Sequence, residues 1–154
     1  MNLQDLQRNF EEWYGEPDYI LTVPAPNDSS IPNKLDILYY FGEEVEKYPT
    51  DLATIGLATR RMNTPWEYAE LMIDIAIGQS RQDYETLGKG FADLVWSCLD
   101  RGLSFSPNLV IQNISLPLFE KMNCLFVKDW WCFNPSLKPS VTQEEGIDKT
   151  QNER

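Results

Sequence analysis

A chain of 154 residues, 42% hydrophobic and 12% aromatic, is the size of one domain and holds enough apolar side chains for a single core. Its 24 acidic residues outweigh 13 basic ones, and a net charge of −11 repels a phosphate backbone, so nucleic acid is excluded as a partner. No apolar run approaches the roughly 20 residues of a membrane span, and the opening MNLQDLQRNFEEWYG has no apolar signal core, so a soluble cytoplasmic protein is expected.

Leu3, Leu6, Phe10, Trp13 and Tyr14 recur at helical spacing, with Asn2 placed to cap the helix and Gly15 to stop it. Pro17 to Pro32 reads as a connection that contains one short strand, YILTV, and a loop, APNDSSIPN. Lys34–Phe41 is a strand whose two faces are both largely apolar or aromatic, which predicts cover on both sides. An acidic turn region, Gly42–Thr50, separates it from a second strand over Leu52–Thr59. Gly56 inside that strand marks a bulge or a close backbone approach.

The next run fits two structures. Thr64-Pro65-Trp66-Glu67 is a capping box, and Ala69, Met72, Ile73, Ala76 and Ile77 fit one helix face. Yet Ala69, Leu71, Ile73, Ile75 and Ile77 also alternate with Tyr68, Glu70, Met72, Asp74 and Ala76, and the β-branched isoleucines tip the reading to strand. Ser80 then caps a helix over 81–101, whose apolar stripe is Tyr84, Leu87, Phe91, Leu94, Val95, Cys98 and Leu99. Gly88 and Gly90 weaken that helix, so close packing is their expected use. Leu109–Ile114 and Asn123–Val127 are strand candidates on either side of a helical turn at Leu116–Lys121. The domain is read as 1–135, and 136–154 as a disordered acidic tail.

The chain has no histidine, and it shows neither a glycine-rich phosphate loop nor a cysteine pair at metal spacing. Cys98 belongs in the core, and Cys124 and Cys132 require no bridge. A serine or cysteine nucleophile lacks an imidazole base. No cofactor and no metal is expected.

A few side chains still stand out. With 67–77 as a strand, Glu70 and Asp74 share one face, where two carboxylates can hold a hard cation or do acid–base work; a solvated face is the plainer reading. Asp36 is an unusual acid among Leu35, Ile37 and Leu38, with a satisfied ladder-end acid as its plainer role. Arg60-Arg61 is a dibasic pair whose expected partner is the acidic loop Glu43–Glu46. Trp130, in Asp129-Trp130-Trp131, is either a binding anchor or a core side chain.

Taken in order and spacing, LDILYYF, the acidic EEVEKYPTD, ATIGLATRRM, YAELMI with its Glu70-Leu71 pair, and the helix at 81–101 followed by GLSFSPNLVIQN resemble the suppressor of fused domain family in its bacterial form. The resemblance covers Lys34 to Phe133 and departs at GQSRQDY, where family members often carry a tryptophan-bearing loop. It implies a strand at the ambiguous third run. It also implies a single α+β domain with a central, mostly antiparallel sheet packed by helices. Members are not known as enzymes: the animal protein clamps a transcription-factor peptide in hedgehog signalling, and bacterial relatives often lie in toxin–immunity clusters.

The resulting expectation is a non-enzymatic immunity or regulatory module that neutralises a protein partner, such as a basic toxin. Asp36, Tyr40, Glu70, Asp74 and Trp130 are its candidate contact residues. The alternatives are a metal-dependent enzyme using Glu70 and Asp74, and a structural subunit of a larger assembly.

Overall fold

Strand pairing organises the chain. A computed structural model describes residues 3–43, 50–63, 68–75, 78–106 and 108–127. Four strands, β1 (Tyr19–Pro24), β2 (Lys34–Tyr40), β3 (Thr50–Ile55) and β4 (Met72–Ile75), form an antiparallel sheet in chain order. Helix α1 (Leu3–Tyr14) packs on one face and α2 (Arg81–Asp100) on the other. Strands β5 (Val110–Gln112) and β6 (Cys124–Phe126) pair separately, and Ile111 of β5 joins the core on the α2 side. This is the small α+β domain with an antiparallel sheet that the sequence predicts.

The central strand β2 explains the two layers. Its period of two sends Leu35, Ile37 and Tyr39 towards α2, and Leu38 and Tyr40 towards α1. Leu35, Ile37, Leu38 and Tyr39 are all fully buried, and each aliphatic one contributes about 2 kcal/mol by leaving water. On the α1 side, Leu6 and Phe10 close over Leu38, Ala53, Ile55 and Ala58. On the α2 side, the stripe read from the sequence is buried from Tyr84 to Leu99, and Ser80 accepts from the Asp83 N–H at 3.1 Å as the cap. Cys98 packs in this core, where burial pushes its thiol up.

Several elements differ from the sequence reading. The second strand ends at Ile55, because Gly56 turns out of it with φ of +121° into a 3-10 turn over Leu57–Thr59. Among the described residues the third run is a strand over Met72–Ile75; residues 76–77 and the capping-box residues 64–67 lie outside the described residues. Leu116–Lys121 forms two successive turns, closed by Phe119 N–H to Leu116 O and Met122 N–H to Phe119 O, in place of a helical one. The tail at 136–154 also lies outside the described residues.

Close packing at the helical glycines is explicit. The Tyr39 hydroxyl crosses from β2 to donate to Tyr84 O at 2.7 Å, in space that a Cβ on Gly88 would occupy. Likewise a Cβ on Gly90 would overlap the Pro117 ring. Gly88→Ala should therefore cost about 3 kcal/mol through overpacking, despite the better helix propensity of alanine. Urea denaturation checks this. Adding Tyr39→Phe, which removes the nearest clashing atom, should recover part of the loss.

Candidate functional site

The face of the sheet on the α1 side carries most of the sequence-predicted residues. Strand alternation places Asp36 and Tyr40 of β2, Asp51 of β3 and Asp74 of β4 on it, beside Leu38, Ala53 and Met72. Tyr40 is the register partner of Asp51, and Asp51 of Asp74, so these three stand in one row across three strands. The row reaches β4, the edge strand, where Asp74 is exposed.

Each member is held differently. Tyr40 is half-buried beneath α1, with its ring centroid 6.1 Å from Phe10 and 6.0 Å from Tyr14. Its hydroxyl donates to Gly15 O at 3.2 Å, and burial, aided by the charges of Glu11 and Asp18, pushes its pKa up. Asp36 is half-buried one strand in from β1 and accepts from the Thr22 hydroxyl at 2.6 Å across the β1–β2 pair. Asp51 is half-buried against Asp74; burial first, then the charge and hydrogen bond of Asp74, push its carboxyl up to about 6. Two carboxyls in direct register hold a shared proton when one is neutral and repel when both are charged. Asp51 does not stand out in the sequence, since only the strand register shows that it faces Asp74.

Glu70 is a correction. It was expected on a partner-facing surface with Asp74, yet it is 4% exposed, and its carboxylate is turned into the protein. Oε1 accepts from the Gly56 N–H at 2.7 Å and the Ala58 N–H at 2.9 Å. Oε2 accepts from the Thr54 hydroxyl at 3.0 Å and the Leu57 N–H at 3.1 Å. The physical reason is the turn at Gly56: it aims three successive backbone donors at one point, and only a carboxylate satisfies them all. Burial pushes the Glu70 carboxyl above the usual range, and the four donors oppose that push.

Glu70 thus lies at the Thr54–Leu71 end of the β3–β4 ladder, and Asp74 at its Asp51 end. The structure does not bring them together, and no three His, Cys, Asp or Glu side chains gather as a cation site among the described residues. Trp130 lies outside the described residues. Arg60 donates to Ile31 O at 3.0 Å; residues 44–46 of the acidic loop expected to partner Arg60 or Arg61 lie outside the described residues. Exposed apolar side chains include the cross-strand pair Val110 and Phe126 on β5 and β6. No helix among the described residues is long and apolar enough to cross a membrane. No protein-family model, curated protein or solved structure matches the chain.

Two outcomes follow from this geometry. Glu70→Gln places an NH₂ against backbone donors and strands at least one of them, so it should destabilise the fold by about 3 kcal/mol in thermal or urea unfolding, with no added cation. At Asp51 the amide substitution should help the fold at neutral pH. Its folded-state pKa lies above the ordinary value of 3.8, so its contribution is whole below about pH 4 and is lost as the pH rises through about 6. Between pH 4 and pH 7 the stability of Asp51→Asn relative to the natural chain should rise by about 1 kcal/mol, a figure reduced for the half-exposed site. Paired urea titrations across that range measure it.

Proposed function

We propose that this chain is a non-enzymatic protein-binding module of the suppressor of fused-like kind, working in the cytoplasm as an immunity or regulatory protein. It neutralises a basic protein partner by covering it with the Asp51–Asp74 end of the sheet, beside α1, where Asp74 is exposed. The observation that carries this reading is the Tyr40–Asp51–Asp74 row, which ends at β4, the edge strand among the described residues. A chain of net charge −11 attracts and orients a basic surface, and an acidic row beside a fixed aromatic gives that attraction a defined place. Asp36, on the same face, extends the acidic ground towards β1. The family resemblance makes a toxin the expected kind of partner, and Trp130 remains a candidate anchor.

Asp74 is the residue to alter, because it is exposed and its reversal relieves the repulsion at Asp51. Binding to the basic product of a neighbouring gene, followed by calorimetry in low salt, should be saturable and should weaken as salt rises. Asp74→Lys should weaken it at least about tenfold while the chain stays folded. Absence of binding in low salt sinks the neutralisation reading.

A further inference from the structure

A second part of the surface has the opposite chemistry. A cleft of about 560 Å³ opens between the β1–β2 connection, the residues that follow the 3-10 turn, and the C-terminal end of α2. Asn27, Ser29 and Ser30 line it from the connection, Arg60 and Arg61 from the turn, and Asp100 from the helix. Two adjacent arginines in one cleft stand out in a chain with 13 basic residues against 24 acidic ones.

Arg60 is half-buried and is held in place by a single side-chain hydrogen bond, from Nη1 to Ile31 O at 3.0 Å. No carboxylate pairs with it among the described residues, and Asp100 lines the same cleft without bridging to it. A guanidinium has five donors in a rigid fork, so the Nε–Nη2 edge, which grips oxyanions bidentately, is left over. Asn27 is oriented by its neighbours. Its Oδ1 accepts from Ser29 Oγ at 2.9 Å and from Ser30 Oγ at 3.1 Å. With the oxygen occupied, the amide N–H groups are what Asn27 has to offer a ligand. Arg60 and Asn27 therefore present anchored donors to the cleft whose acceptors are not supplied by the described residues.

We propose that this cleft binds an oxyanion, the phosphate or carboxylate group of a small ligand, on the Arg60 fork, with the Asn27 amide as a further donor. Asp100 limits the negative charge that the cleft accepts. The site is separate from the acidic face and does not depend on the reading of that face.

Thermal unfolding with inorganic phosphate, against sodium chloride of equal ionic strength, tests the proposal. The expected result is saturable stabilisation beyond the chloride control, at least about tenfold weaker in Arg60→Gln and several-fold stronger in Asp100→Asn. Acetate in a parallel arm separates the two sources: a stronger response to acetate assigns a carboxylate ligand, and a stronger response to phosphate assigns a phosphate. Asp74→Lys should leave the response unchanged. If Arg60→Gln does not fold, the Asn27 side-chain amide resonances of the natural chain should shift with phosphate and not with chloride. No effect of either anion beyond chloride, or an undiminished effect in folded Arg60→Gln, overturns the proposal.

Discussion

One buried carboxylate ties this fold together. Glu70 accepts four hydrogen bonds from a stretch of five residues, Thr54 to Ala58, and three of those donors are backbone N–H groups. A carboxylate taken out of water is costly unless such donors replace its hydration. Here the replacement also does structural work: the N–H groups released where β3 ends have no ladder partner, and Glu70 supplies one. The same residue sits two positions before β4, so the end of one strand and the start of the next are pinned at a single point. Thr54 completes the junction, because its hydroxyl donates to Glu70 while accepting from the Leu71 N–H at 2.9 Å.

From that junction the chain runs in two directions, towards surfaces of opposite charge. Four residues after Glu70, Asp74 stands at the sheet edge against Asp51. Immediately after the clamped turn, Arg60 reaches across to the β1–β2 connection. The acidic row and the arginine cleft are thus set by the two partners of one buried hydrogen-bond cluster. Loosening that cluster would disturb both, whereas a surface substitution at either end leaves the other intact.

Much of the architecture is legible in the residues because it follows from local periodicity. The stripe of α2, its Ser80 cap and the two-sided burial of β2 are properties of consecutive side chains. The tight fit at Gly88 and Gly90 is legible in part, since glycine inside a helix signals that something comes close; that it is Tyr39 in one case and Pro117 in the other is visible only in three dimensions. The paired strands β5 and β6 are visible in the residues as apolar runs, but three-residue strands carry too little pattern to show that they form a sheet of their own.

Glu70 shows where periodicity misleads, and why. Strict alternation through YAELMIDI places Glu70 and Asp74 on one face, which makes them resemble a cation site or a charged binding edge. Alternation holds only while the ladder continues, and β4 begins at Met72, so Glu70 falls outside the pattern used to place it. Its donors lie 12 to 16 residues away, in a segment whose apolar, β-branched composition reads as an unbroken strand. The one residue that contradicts the strand is Gly56, whose φ of +121° a side-chain-bearing residue rarely adopts. A glycine that breaks a strand, and a lone acid beginning the next apolar run, are each ambiguous alone. Together they describe a turn that presents backbone donors and a carboxylate that receives them. That pairing turns Glu70 from a surface charge into the constraint on which the positions of Asp74 and Arg60 depend.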